Sequence, residues 1–386
     1  MAAARVRMVV GVTSPQTCLV LTGRLRALER AGFEVSLVAS PGELLETTAK
    51  SEGVSHQAIV MERGIAPLMD MLSFVALLRL LWREQPEVTD FSTPKAGLLG
   101  NLAAWLLMVP HRVYTLRGLK LESSSGWKRM LLLGSERLAA ACADVVLCNS
   151  ESLRAEALVL GIAPAKKLHV LGAGSSNGVD VKRFQPGTLR RRAEVRGGLG
   201  FDENSLVLGF VGRLTRDKGV PELLKAFDEI LFTRPDAWLL LVGWFDASED
   251  ALEAEWHERV KAHPRIRHTG FVADVAPYYH AMDLMVLPTH REGFPNVVLE
   301  AAASGVPVIT TESTGARDAV VPEVTGMLIP IGNAEAIVEA VEELARNAAK
   351  RARMRIAARS WAEGRYSQEK VLGLAVEFYR RLAGMG

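Results

Sequence analysis

Two glutamates eight residues apart are the side chains in this chain best spaced to hold hydroxyl groups. Glu292 and Glu300 lie in residues 289–307, THREGFPNVVLEAAASGVP. The apolar run before this segment reads as a strand ending near Pro288. The loop then holds His290, Arg291, Glu292 and Gly293, and a helix follows with Pro295 in its first turn. Gly305 ends that helix and Pro307 prevents its continuation. At a rise of ~1.5 Å per residue the two carboxylates stand about 12 Å apart along the helix axis. That is too far to share a metal, so they read as two separate hydroxyl clamps. Between them, the free N–H groups of the first helical turn carry roughly half a positive charge and suit a phosphate. A diphosphate flanked by polyols, as in a sugar nucleotide, matches this arrangement. An ordinary capped helix with two surface glutamates is the other reading of the same residues.

The second constellation is residues 209–219, GFVGRLTRDKG. A buried strand ends at Gly212, and Arg213 and Lys218 follow on the loop before the next helix. Two cations at the carboxyl end of a strand can hold a diphosphate and stabilise it as a leaving group, because negative charge develops there as the bond breaks. Ordinary surface Arg and Lys residues would leave the same local pattern. The GxGxxG, P-loop, HExxH and GxSxG signatures are all absent from the chain.

These loops need a scaffold, and the hydropathy pattern supplies one. Residues 7–13 and 33–39 read as strands around a helix with Leu21, Leu25 and Leu28 on one face, which is a βαβ unit with parallel strands. Helices are predicted over 68–84, 96–107, 127–141 and 150–160, with strands over 112–116, 145–148 and 169–171. Residues 172–180 and 185–200 are rich in Gly, Ser and Pro and mark a boundary. The arginine run 190–192 reads as a solvated helix. The pattern then restarts, with strands over 205–211, 238–242, 266–269, 284–287, 306–310 and 327–329. Helices are predicted over 221–232, 252–263, 275–281, 295–304 and 316–320, and two more, 334–348 and 368–382, close the chain. The fold class is therefore α/β, two Rossmann-like doubly wound domains in tandem, facing across a cleft at the carboxyl ends of their strands. The expected division is 1–182 for the first domain, with 368–386 returning to it, and 183–367 for the second.

Composition narrows the functional classes. The 386 residues are 49% hydrophobic and 23% charged, ordinary for a globular protein. A formal charge of +2 is too small to imply a nucleic-acid partner. Residues 1–185 carry 21 Lys and Arg against 16 Asp and Glu, a mild basic excess over the rest of the chain. Three cysteines without a Cys-x-x-Cys pair fit a reducing compartment. No run approaches the ~18 apolar residues needed to span a bilayer, and the apolar run 8–12 is too short for a signal peptide. A cytoplasmic location is expected, with peripheral contact to the inner membrane face as an option. Trp127, Lys128 and Arg129 open a helix containing Met130–Leu133, and Leu68–Trp82 is apolar on more than one face. Each reads either as a lipid-facing surface or as a helix buried against its neighbours. The eight histidines are scattered and read as surface or satisfied residues.

Taken in order and spacing, GRLTRDKG, GFVADV and EGFPNVVLEAAASGVPVI resemble the retaining glycosyltransferases of family 4, which have the GT-B fold. The resemblance covers nearly the whole chain, and the E-x7-E pair is its most specific mark. STPKAGLLG (92–100), YTLRGLKLE (114–122) and GSSNGVD (174–180) resemble the branch that builds bacterial capsule, exopolysaccharide and O-antigen chains.

By this resemblance, Arg213 and Lys218 bind the donor diphosphate, Glu300 holds the ribose hydroxyls and Glu292 faces the transferred sugar. Gly212, Gly293, Phe294, Pro295 and Asn296 line the donor, and residues 270–274, with Val272, hold the base. Pro15, Gln16, Lys95 and Arg117 are the acceptor or sugar candidates of the first domain. The chain departs from the family pattern at Arg117, where many members carry His. It departs again in residues 13–17, which lack paired glycines, and at Asp90 and Ser92, where histidines are frequent. The implied reaction is retaining and metal-independent, needs no cofactor, and uses a nucleotide-sugar donor, expected to be a UDP-sugar. The acceptor would be a glycan, lipid-linked or free. A sugar-nucleotide epimerase or hydrolase of the same fold, and a non-catalytic nucleotide-sugar-binding relative, are the alternatives.

Overall fold

A computed structural model of the chain describes residues 5–62, 64–247 and 249–385. The chain divides into two compact units. Unit 1 runs to Gly178 and takes back the chain from Glu369 onward, and unit 2 is Val179–Gln368.

Unit 1 alternates strand and helix throughout. Its elements are β1 (Val6–Gly11), α1 (Arg24–Arg30), β2 (Phe33–Ala39), α2 (Glu43–Glu52), β3 (Ser55–Ala58), α3 (Pro67–Glu84) and β4 (Val88–Ser92). They continue with α4 (Pro94–Leu106), β5 (His111–Leu116), α5 (Gly126–Cys142), β6 (Val145–Cys148), α6 (Glu151–Val159) and β7 (Leu168–His169). A 3-10 helix, Pro15–Leu21, precedes α1. The seven strands form one parallel sheet in the order β3-β2-β1-β4-β5-β6-β7. The expected βαβ start is present, with Leu21, Leu25 and Leu28 fully buried. The short edge strand β3 carries Ser55, His56 and Gln57, so no apolar alternation announces it.

Unit 2 comprises α7 (Leu189–Leu199), β8 (Val207–Val211), α8 (Val220–Thr233), β9 (Trp238–Val242), α9 (Ala254–Ala262) and β10 (Ile266–His268). It continues with α10 (Ala276–Tyr279), β11 (Leu284–Leu287), α11 (Asn296–Ala303), β12 (Val308–Thr311), β13 (Gly326–Ile329), α12 (Ala334–Arg346) and α13 (Ala348–Tyr366). Its six parallel strands run β10-β9-β8-β11-β12-β13. The last helix, α14 (Gln368–Leu382), belongs almost wholly to unit 1, where Tyr379 joins the core of β1, β2 and α1.

Two sequence expectations are corrected. The chain closes with three helices after β13 rather than two. α13 is rich in Arg and buries only Met354, Ala358, Ala362 and Tyr366, a stripe at four-residue spacing in which half the side chains are alanines. The arginine run is also more than a solvated helix. Arg190 and Arg191 are exposed, but Arg192 ion-pairs with Asp283 at 2.5 Å. One turn on, Arg196 is 2% exposed and pairs with the same carboxylate at 2.6 Å. Two of the histidines are satisfied as expected: His290 bonds Glu222 at 3.0 Å, and the His257 ring stacks on Phe245.

One buried pair makes unit 1 sensitive to pH. The Tyr114 hydroxyl on β5 donates to Glu136 on α5, and both side chains are buried. Burial pushes the Glu136 carboxyl up to about 7, with the Tyr114 hydrogen bond pulling the other way. Between the ordinary carboxylate value and about 7, the folded chain therefore holds a proton that the unfolded chain has lost. Stability should fall as pH rises through that window, by up to ~1.4 kcal/mol per pH unit, and level off above it. Denaturant melts of the parent and Glu136→Gln between pH 5 and 8 check this. The variant should lose the slope, and equal slopes in both proteins would show that Glu136 is not its source.

Candidate active site

The strand order of unit 2 reverses between β8 and β11. The chain leaves these two neighbours in opposite directions, so their carboxyl ends open a crevice that no crossover helix covers. Both segments singled out by composition start there: Gly212, Arg213 and Lys218 follow β8, and residues 289–296 follow β11.

Two glycines, one on the β8 loop and one on the loop after β12, let backbone close on the second segment. Gly219 has φ 71°, and a Cβ there would lie 2.0 Å from the Pro288 carbonyl oxygen, so only Gly lets the β8 loop close on the end of β11. Gly315 has φ 76°, and its Cβ would fall 2.5 Å from the Gly293 oxygen; next to it, the Glu292 N–H donates to the Thr314 carbonyl at 3.0 Å. The β8 loop is fastened from the other side too. The His290 N–H donates to the Asp217 carbonyl at 2.8 Å, and Thr289 Oγ1 donates to it at 3.1 Å.

The result is a compact charge cluster. Lys218 Nζ stands 2.5 Å from Glu292 Oε1, with both side chains largely buried. Arg213 Nη1 donates to Asp246 Oδ2 at 2.5 Å and its Nη2 lies 3.9 Å from Asp217. The Asp217 side chain is 1% exposed, accepts from Thr215 Oγ1 at 2.6 Å and faces Arg291 Nη2 at 3.0 Å. Arg291 also reaches Asp250 at 3.0 Å. Burial alone would raise the Asp217 carboxyl. Lys218, Thr215, Arg291 and Arg213 outweigh it and hold Asp217 below its usual value. Burial would likewise lower Arg213, but its bond to Asp246 and the charges of Asp217, Asp246 and Glu292 keep it firmly protonated. Asp217 thus places a buried negative charge beside Arg291 and Arg213, while Glu292 holds Lys218 in place. Such fixed cations stabilise a developing negative charge without reorganising.

Pro295 is the N-cap of α11 rather than its first residue, and it supplies no side-chain cap. Asn296 opens the helix. Gly293 and Phe294 are buried, the Phe294 ring packing 5.1 Å from that of Tyr366. One turn into α11, Glu300 Oε2 accepts from the Tyr279 hydroxyl at 2.8 Å. Burial raises the Glu300 carboxyl, and the Tyr279 bond opposes that. Val272 is half-buried on the loop after β10, two strands from β8.

The remaining candidates belong to unit 1. Pro15 and Gln16 begin the 3-10 helix after β1. Lys95, in the first turn of α4, pairs with Asp70 of α3 at 2.5 Å. Arg117 Nε donates to Ser92 Oγ and its Nη1 to Ser176 Oγ, each at 2.9 Å. Sequence reasoning did not single out Asp217, Asp246 or Tyr279. Asp217 adjoins Lys218 in the same motif and could have been noticed. Asp246 and Tyr279 lie 33 and 21 residues from their partners, with nothing local to mark them.

Two family models together span most of the chain. The one described as "Glycosyl transferase 4-like domain" matches residues 20–174, and "Glycosyl transferases group 1" matches residues 191–361. The capsular polysaccharide biosynthesis glycosyltransferase CapM of Staphylococcus aureus is 35% identical over 333 residues, 86% of each chain. This chain belongs to the group 1 glycosyl transferases. The glycosyltransferase is also 29% identical over 287 residues to the UDP-Gal:alpha-D-GlcNAc-diphosphoundecaprenol alpha-1,3-galactosyltransferase of Escherichia coli, covering 72% of this chain and 71% of that one. Among solved structures it resembles Anabaena HepE in complex with UDP and glucose, with a TM-score of 0.79 at 20% identity over 97% of this chain and 99% of that one. It also resembles WaaG, a glycosyltransferase involved in lipopolysaccharide biosynthesis, with a TM-score of 0.72 at 15% identity over 96% and 99%. These likenesses establish the GT-B fold, whose two parallel-sheet α/β domains are units 1 and 2.

Proposed function

We propose that this glycosyltransferase moves a sugar, with retention and without a metal ion, from a UDP-sugar to a lipid-linked or free glycan acceptor during surface polysaccharide synthesis. The observation that carries the reading is the Arg213–Lys218–Glu292 cluster at the carboxyl ends of β8 and β11. The donor's diphosphate exchanges with the carboxylates that hold Arg213 and Lys218. As the bond between the anomeric carbon and the leaving phosphate oxygen lengthens, the two cations take up its charge. The acceptor oxygen bonds to the same face of the sugar, and its proton passes to the departing phosphate oxygen, so the configuration is kept. Glu292 orients the sugar hydroxyls, and Glu300 accepts hydrogen bonds from the ribose. The polysaccharide role is supported by the likeness to CapM, and the UDP donor and diphosphate-lipid acceptor by the likeness to the galactosyltransferase of E. coli.

Among the described residues no helix is long and apolar enough to cross a membrane. Peripheral contact at the cytoplasmic face is supported by Trp127, Met130 and Leu131 at the start of α5, exposed at 72%, 75% and 46% beside Lys128 and Arg129. Flotation with phosphatidylglycerol vesicles, lost on Trp127→Glu, tests that contact.

UDP release from candidate UDP-sugars, followed with and without a prenyl-diphosphate-linked sugar, tests the reaction. Acceptor-dependent release, an axial or equatorial product matching the donor, and full activity in EDTA are expected. Isomerised donor would instead mean an epimerase, acceptor-independent release a hydrolase, and loss of activity in EDTA a metal-dependent reaction. Glu300→Gln should weaken UDP binding about tenfold, the worth of one hydrogen bond to a charged acceptor. In the parent, UDP affinity should fall as pH drops through the raised Glu300 value, because the protonated carboxyl accepts poorly. Calorimetry across pH 4.5–8 reads both effects, and a parent profile as flat as the variant's would exclude Glu300 from the ribose site.

A further inference from the structure

Unit 1 holds a second concentration of positive charge, and it is poorly compensated. Arg24 opens α1 and is only 4% exposed, yet its Nε and Nη1 have no hydrogen-bond partner. The ring of Tyr379 faces it, with the centroid 6.0 Å from the guanidinium carbon. Arg117 follows β5. Its Nε and Nη1 are spent on the Ser92 and Ser176 hydroxyls, but its Nη2 is buried and unpaired. The two guanidinium groups feel each other: after burial, the charge of Arg24 is the larger cause pulling Arg117 down to about 10.

The carboxylate beside them is Asp90 on β4. It accepts from Thr115 Oγ1 at 2.6 Å and from the Tyr379 hydroxyl at 2.8 Å, and no hydrogen bond joins it to either arginine. Arg117 therefore meets the Asp90 carboxylate only through its field, and three guanidinium nitrogens, which carry five N–H bonds, have no acceptor. A buried charge is retained at a cost unless an acceptor satisfies it. No ion pair explains Arg24 as a structural element, and an apolar side chain would fill its space without that cost.

The place is also one where ligands bind. Ser92, Arg117 and Asn149 stand at the carboxyl ends of β4, β5 and β6, and Ser176 is bonded to the latter two. The backbone there is strained as well: Thr93, a β-branched residue, has φ 72°. Guanidinium forks match the oxygens of a phosphoryl group better than any neutral ligand.

We infer that Arg24 and Arg117 form a phosphoryl-binding site in unit 1, which takes the diphosphate of a diphosphate-linked glycan acceptor. This rests on the transferase reading above. It adds to that reading an acceptor that must be anionic next to its sugar, supplied by a reaction that joins a sugar phosphate to a lipid phosphate.

Calorimetry on the full chain with inorganic pyrophosphate, UDP and a short-chain prenyl-diphosphate-linked N-acetylglucosamine tests the site. Arg24→Gln and Arg117→Gln are each expected to weaken the prenyl-diphosphate sugar at least tenfold while leaving the UDP dissociation constant within about twofold. Arg24→Lys should recover part of the loss. The melting temperature of Arg24→Gln should hardly fall, since no hydrogen-bonded partner is abandoned and only the contact to the Tyr379 ring is lost. Unchanged acceptor affinity in both Gln variants would overturn the proposal, as would UDP affinity falling in parallel, which would assign the pair to the donor. A lowered melting temperature with intact acceptor binding would make Arg24 structural and also overturn it. Pyrophosphate binding that disappears in Arg24→Gln, in a protein that turns over no UDP-sugar, would keep the anion site and overturn the transferase reading instead.

Discussion

Lys218→Ala is expected to fold normally and to lose about 10²–10³ in kcat/KM, the cost of removing one fixed electrostatic donor from a developing charge. Two effects act together. The ammonium group is no longer present to take up negative charge on the departing diphosphate. Glu292 also loses the partner 2.5 Å away that positions its carboxylate, so its ability to orient the sugar declines. The loss should fall mainly on kcat, because the charge that Lys218 meets is largest in the transition state. Lys218→Arg keeps the charge but cannot fit the same contact to Glu292, and it should recover only part of the activity. Steady-state kinetics with a UDP-sugar, beside a thermal melt of each variant, measures this. A kcat/KM within about threefold of the parent would remove Lys218 from the chemistry.

The largest stability effect is expected far from that cluster. Asp283 closes β8 against the start of β11 by accepting from Arg192 at 2.5 Å, from Arg196 at 2.6 Å and from the Val207 N–H at 2.8 Å. Asp283→Ala would leave the Arg196 guanidinium, 2% exposed, without its carboxylate, holding only the carbonyls of Ala281, Asp202, Glu203 and Ser205. Breaking a buried pair from one side costs roughly 3–5 kcal/mol. In a unit of this size that lowers the melting temperature by about 10 °C. Calorimetry should show the shift in one transition of the two-unit protein while the other stays put. Asp283→Asn, which keeps the shape and one of the two acceptor oxygens, should cost less. A shift below about 2 °C for Asp283→Ala would mean that the arginines find other acceptors.

The arginine helix marks where sequence reasoning stops. Local pattern shows that residues 190–196 form a polar helix, but nothing local says that its fourth turn-facing arginine is buried, because the partner lies 87 residues away. The same division runs through the fold. Phe33–Ala39, Val145–Cys148, Trp238–Val242 and Leu284–Leu287 read as strands end to end, since a buried parallel strand is a short apolar run between turn residues. β3 and α13 do not, because an edge strand needs little apolar surface and a helix can bury alanines without an obvious stripe.

What the amino-acid order determined by itself is the alternation of elements, the two sheets it builds, and the identity of the groups able to meet a phosphate or a hydroxyl: Arg213, Lys218 and Glu292 stand on loops after strands, each next to a glycine, and Glu300 lies one turn into the helix that follows Pro295. The tertiary structure alone decided which of them touch. Lys218 meets Glu292 across 74 residues, Arg213 meets Asp246 across 33, and Arg117 comes into the fields of Arg24 and Asp90. Those meetings depend on strand order and on the close backbone approaches at Gly219 and Gly315, which arise from the packing of the whole sheet and leave no trace in the spacing of residues along the chain.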